Sequence, residues 1–64
     1  MTETNKEVIK ALADNNMNVT ATGRATYRDT KSIWRHIYRV REKTGLDPLK
    51  FWDLIELLKI CGVM

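Results

Sequence analysis

Residues 18–45 read NVTATGRATYRDTKSIWRHIYRVREKTG and predict the central part of the fold. Asn18 is a residue type that often caps the start of a helix, and several small residues follow it. The polar residues 28–30 predict a tight turn with a new helix cap, and Gly45 predicts a helix end in the left-handed conformation. The stretch therefore predicts two consecutive helices that are joined by a short turn.

The second of these helices has two different faces. At about 100° per residue, Ile33, Ile37 and Val40 share one face. The opposite face collects Lys31, Arg35, Tyr38, Arg39 and Glu42, with Trp34 on its flank. The helix is therefore expected to pack its apolar face inward and to present a basic face for binding.

Gly23 has a special place in the first helix of the stretch. Glycine costs about 1 kcal/mol relative to alanine inside a helix, so this segment needs tertiary packing to be helical. We expect Gly23 to mark the closest approach of the two helix axes. A side chain larger than alanine should clash there.

Two further helices are predicted on either side. Thr4 and Glu7 form a capping-box pattern, and Asp47 followed by Pro48 is typical of a helix start. The expected inner stripe of the last helix is Phe51, Leu54, Ile55 and Leu58. The predicted fold is a single all-α domain over residues 1–64 that contains a helix-turn-helix, with helices at about 5–15, 19–27, 30–44 and 48–61.

Charge is concentrated in the middle of the chain. Residues 24–43 contain seven basic and two acidic residues, a net charge of +5, whereas the remainder carries four basic and six acidic residues, a net charge of −2. A basic centre between mildly acidic flanks predicts a polyanionic partner.

Several classes of protein are not expected from this composition. Cys61 is the only cysteine and His36 the only histidine, so neither an internal disulfide nor a four-ligand zinc site is predicted. No nucleophile with a base, no pair of catalytic acids and no glycine-rich phosphate loop is evident, so the chain is not expected to be an enzyme or to hold a cofactor, metal or small-molecule ligand. It has no signal-like or membrane-spanning pattern, and a cytoplasmic location is expected.

The stretch also resembles a known family. Residues 18–25 (NVTATGRA), Thr30-Lys31-Ser32-Ile33 and Thr44-Gly45-Leu46-Asp47 are similar to the C-terminal helix-turn-helix domain of PucR- and CdaR-type bacterial transcription regulators, and more distantly to Fis-type domains. The resemblance implies transcription regulation through double-stranded DNA. It also implies that Thr30, Lys31, Ser32 and Arg35 form the DNA-reading segment.

Further residues on α-helical positions nearby extend this predicted site. Arg35 is the best candidate for reading a base, Lys31 for anchoring a phosphate, and the first backbone N–H groups of the helix are expected to favour a phosphate. The predicted DNA-binding residues are Arg24, Arg28, Thr30, Lys31, Ser32, Arg35 and Arg39. Trp34 and Tyr38 are interpreted as part of a core or its rim, and His36 as a packing residue.

An alternative function uses the last helix. Trp52 and Ile60 lie away from the predicted inner stripe and leave apolar surface uncovered. This surface is expected to form a homodimer contact or, in the alternative, to dock the chain onto a larger protein as an adaptor that does not bind DNA.

Overall fold

The computed structural model describes residues 2–62, which form four α-helices. They are α1 (Glu3–Asp14), α2 (Val19–Ala25), α3 (Thr30–Thr44) and α4 (Phe51–Ile60). α1 packs against each of the other three helices, and α2 packs against α3. The expected class, a small all-α domain of four helices, is confirmed.

The core lies between α1, α3 and α4. It consists of Val8, Ile9, Leu12, Ile33, Ile37, Val40, Leu54, Leu57 and Leu58. α2 contributes the buried residues Thr22 and Gly23. The Thr22 hydroxyl donates to the Asn18 carbonyl oxygen at 2.8 Å, so this polar group is buried without losing its hydrogen bond.

The first helix begins earlier than the sequence predicts. Thr2 is the N-cap, and its hydroxyl oxygen accepts from the Asn5 N–H at 3.1 Å. The expected capping box of Thr4 and Glu7 is therefore wrong, because both residues already lie inside the helix. Glu7 is thereby available to pair with another part of the chain.

The second helix begins at its predicted cap but ends two residues early. The Asn18 side chain accepts from the Ala21 N–H at 3.0 Å, whereas the helix ends at Ala25 rather than at Tyr27. Tyr27 has a φ of 57°, and the Arg28 N–H donates to the Gly23 carbonyl oxygen at 2.8 Å. These features are those of a Schellman-type ending, with tyrosine in the left-handed position that glycine usually occupies.

The third helix has the predicted bounds. The Asp29 carboxylate caps its start, and Gly45, with a φ of 73°, ends it in the left-handed conformation. Ile33, Ile37 and Val40 are buried as expected. The direction of the outer face of α3 is therefore the one that the sequence predicts.

The fourth helix begins at Phe51, three residues later than predicted. Asp47 and Pro48 belong to the preceding turn, in which the Asp47 carboxylate accepts from the Leu49 N–H at 3.0 Å. Phe51 is 55% exposed and is not part of the inner stripe, while Leu57 is fully buried. The prediction was wrong because apolar residues surround most of this helix, so the sequence allows two overlapping stripes.

Candidate nucleic-acid interface

A basic stripe runs along the outer face of α3. It consists of Lys31, Arg35 and Arg39, all exposed and spaced four residues apart. At 1.5 Å per residue the stripe is about 12 Å long. Between residues 2 and 62, none of the ion pairs involves a side chain of this stripe. The three charges of the basic stripe therefore face solvent.

One backbone donor at the start of α3 is capped by a side chain. The Asp29 carboxylate accepts from the Ser32 N–H at 2.7 Å, and the Asp29 carbonyl oxygen accepts from the Ile33 N–H at 3.2 Å. The carboxylate also places a negative charge where a phosphate was expected. The side chains at this end include the exposed Thr30 and the half-buried Ser32, whose hydroxyls can donate to an anion.

The two arginines before α3 have different surroundings. Arg24 is exposed on α2. The Arg28 guanidinium instead donates to both carboxylate oxygens of Glu7, at 3.3 and 3.5 Å, and to the Thr26 carbonyl oxygen at 3.3 Å. The structure thus leaves Arg24 facing solvent and directs Arg28 toward α1, where it ties the turn to the first helix.

Two aromatic residues lie beside the basic stripe. Trp34 is 37% exposed and Tyr38 is 56% exposed, and both lie on the surface of α3 rather than in the core. Their ring centroids are 6.1 Å apart, with an interplanar angle of 32°. The Arg41 guanidinium carbon lies over the Tyr38 ring, 5.9 Å from its centroid. Sequence reasoning missed this role of Arg41, although its spacing of three residues from Tyr38 allows such a contact.

A polar contact between α1 and α3 was also missed. His36 Nδ1 lies 2.9 Å from Oδ1 of the buried Asn5, and the imidazole donates its Nδ1 proton in this contact. Burial lowers the pKa of His36 below its usual 6.5, and the nearby charges of Arg28, Arg39 and Arg35 lower this pKa further. A buried asparagine without a partner is costly, so this pair helps to fix α3 on α1.

His36 makes the stability of the fold depend on pH. Because the pKa of His36 is lowered in the folded state, the unfolded chain binds a proton more readily below about pH 6.5, and the free energy of unfolding falls as the pH drops. Thermal unfolding at pH 5.0 and 7.5, followed by circular dichroism, should show a lower Tm at pH 5.0. In His36→Gln this difference should shrink. An unchanged difference in that variant would assign the pH effect to the carboxylates instead.

The two residues predicted for a partner surface do not form one patch. Trp52 is 75% exposed and Ile60 is 56% exposed, but Glu56 lies between them on the outside of α4. Trp52 instead contacts Phe51, with ring centroids 5.1 Å apart and an interplanar angle of 77°. Phe51 in turn lines an apolar groove between the end of α1 and α4, together with Ala13, Asn16, Met17, Leu54, Ile55 and Leu58.

Other kinds of site are not evident between residues 2 and 62. No three histidine, cysteine, aspartate or glutamate side chains are grouped so that they could hold a metal ion. None of the described helices combines the length and apolarity needed to cross a membrane. Comparison with known proteins finds no family model, no curated protein and no solved structure that matches the chain.

Proposed function

We propose that this chain is a sequence-specific DNA-binding protein that regulates transcription, with α3 reading the major groove. The observation that carries the proposal is the basic stripe on the outer face of α3. An α-helix fits the major groove, which is about 12 Å wide. The four-residue connection 26–29 between α2 and α3 has the length typical of a helix-turn-helix.

The residues of this surface have different roles in the proposal. Arg35 lies in the second turn of α3 and reads a guanine through a bidentate contact, while Lys31 and Arg39 bind phosphates on either side. The hydroxyls of Thr30 and Ser32 add contacts near the start of the helix, and Arg24 extends the basic surface onto α2. Arg28 acts mainly by holding the turn to Glu7, so its contribution to DNA binding is smaller than the sequence alone predicts.

The resemblance of residues 18–25, 30–33 and 44–47 to PucR- and CdaR-type domains supports the same function. It favours a bacterial, cytoplasmic regulator that has no catalytic activity. A single small domain covers only about 600–1,000 Å² of a DNA site. Two copies on half-sites about 34 Å apart are therefore proposed for specific recognition.

The test is titration of a labelled random-sequence duplex at low and at moderate salt. The wild-type chain should bind, and its affinity should fall steeply as salt rises, because binding releases counterions from the DNA. Lys31→Ala/Arg35→Ala should weaken binding about 10- to 100-fold and make the salt dependence shallower. Fluorescence anisotropy measures both quantities.

The matched control is Lys10→Ala/Lys59→Ala. It removes the same number of charges from α1 and α4 and leaves the basic stripe intact. This variant should keep most of the wild-type affinity. Equal losses of affinity in the two double variants would show that net charge, rather than the basic stripe, determines binding. Absence of wild-type binding even at low salt would overturn the proposal.

A second candidate function is that of a protein-interaction adaptor. It is favoured by the exposed Phe51 and Trp52 pair beside the apolar groove of α4, since contiguous exposed apolar surface is typical of partner contacts. An adaptor of this kind does not bind duplex DNA. The titration therefore distinguishes the two functions.

A further inference from the structure

An aromatic strip lies on one flank of α3, formed by Trp34, Tyr38 and Arg41. The sequence gives no reason to assign it to DNA, but the structure places all three side chains at the surface. Trp34 and Tyr38 are spaced by four residues and Tyr38 and Arg41 by three, so the strip follows the helix axis over about two turns. Its direction matches that of the basic stripe.

The aromatic strip and the basic stripe adjoin each other. At 100° per residue, Tyr38 points about 20° away from the direction of Lys31, and Trp34 about 60° away on the same side. Arg35 points about 40° to the other side of Lys31. A groove that receives Lys31 and Arg35 therefore also receives the ring of Tyr38, with Trp34 at its edge.

The ring of Tyr38 is held in place by its neighbours. Trp34 packs against it with a centroid distance of 6.1 Å, and the Arg41 guanidinium lies over it at 5.9 Å. The bases of a duplex are already stacked on one another, so a ring in the major groove meets the edges of base pairs. More than half of Tyr38 remains exposed, so the residue is available for contact.

An ordered aromatic edge in the major groove suits one group on the DNA. The C5 methyl group of thymine is the apolar group that base pairs display there, and side chains with apolar surface contact it. We infer that Trp34 and Tyr38 contact thymine methyl groups next to the base pair read by Arg35. This inference rests on the proposed function and adds a preference for thymine on one side of the site.

The test removes only the thymine methyl groups from the DNA. A duplex selected from a random pool by the wild-type chain is made in two forms, one with thymine and one with uracil at every thymine position. Burial of one methyl group favours binding about fourfold, so the wild-type chain should bind the uracil form about fourfold more weakly for each methyl contacted. Tyr38→Ala and Trp34→Ala should each reduce this preference, and the double variant Trp34→Ala/Tyr38→Ala should bind the two forms with nearly equal affinity.

Two further variants sharpen the result. Tyr38→Phe keeps the ring and loses only the hydroxyl, so it should retain the preference for thymine. Trp52→Ala removes an exposed aromatic side chain from α4 and should also retain it. Circular dichroism of each variant checks that α3 is still folded, and Tyr38→Ala serves as the test if Trp34→Ala loses helix.

The possible failures are distinguishable. If the wild-type chain binds the two duplexes equally, with steep salt dependence, the thymine contact is overturned while the proposed function stands. If the wild-type chain selects no duplex from the pool, the proposed function fails as well. Tighter binding to a single strand of the same sequence would overturn the thymine contact in favour of base stacking.

Discussion

Replacing Gly23 with valine is expected to destabilise the fold by about 3 kcal/mol or more. A Cβ atom at this position would lie 2.7 Å from the Arg28 carbonyl oxygen and 3.7 Å from Cγ1 of Ile33. The closer atom belongs to the backbone of the turn, and the Arg28 N–H is itself bonded to the Gly23 carbonyl oxygen. A domain of this size has a total stability of only about 3–10 kcal/mol, so much of the chain should unfold.

The variant Gly23→Ala tests whether the contact with the turn causes the loss of stability, because the two possible causes predict changes of opposite sign. Helix propensity alone predicts that Gly23→Ala stabilises the chain by about 1 kcal/mol, whereas the contact with the turn predicts a loss. Urea unfolding followed by circular dichroism measures both variants. Ala25→Val is the matched control, because Ala25 is exposed in the same helix and should lose less than about 1 kcal/mol. A higher stability of Gly23→Ala would contradict the close approach of α2 to the turn.

Gly23 also shows how far the sequence predicts the packing. The small residue correctly indicates a close contact between α2 and the segment after it. From the sequence alone, a clash is expected only for side chains larger than alanine, because the closest approach is placed between two helix axes. The nearest group is instead the carbonyl of Arg28 in the turn, which leaves no room even for a single Cβ atom.

Helix ends were predicted well only where the signal was unambiguous. Asp29 and Gly45 are strong start and stop residues, and α3 has the expected bounds. The end of α2 was misplaced because Tyr27 has a left-handed backbone conformation although it is not glycine. No local sequence pattern predicts this conformation at a tyrosine. The start of α4 was misplaced because Asp47 uses its carboxylate within the turn rather than at the helix start.

The basic stripe was predicted from the sequence of one helix, whereas the contacts of the residues around it were not predicted. The exposed positions of Lys31, Arg35 and Arg39 follow directly from the period of α3. The pairing of Arg28 with Glu7 joins residues 21 positions apart, and the contact of His36 with Asn5 joins residues 31 positions apart. Such long-range polar pairs depend on how α1 crosses α3, which periodicity within one helix does not specify.

Replacing Ile37 with alanine is expected to release α3 from the core. Ile37 is fully buried on the inner face of α3, among apolar side chains of α1 and α4. Removing its outer carbon atoms leaves a cavity, and such substitutions cost about 2–5 kcal/mol. Since the basic stripe lies on the same helix, the proposed DNA binding should fall in step with the folded fraction, although no side chain of the basic stripe has changed.

The matched control separates packing from surface effects. Ile60→Ala makes the same chemical change at an exposed position of α4 and should alter stability by less than about 0.5 kcal/mol. Thermal unfolding and DNA titration at a temperature where Ile37→Ala is still partly folded measure both consequences. Because the core holds α3 in place, lowering the temperature should restore DNA affinity in Ile37→Ala but not in Lys31→Ala/Arg35→Ala. If cooling restored the fold of Ile37→Ala without its affinity, Ile37 would have to act on DNA recognition by a route other than packing.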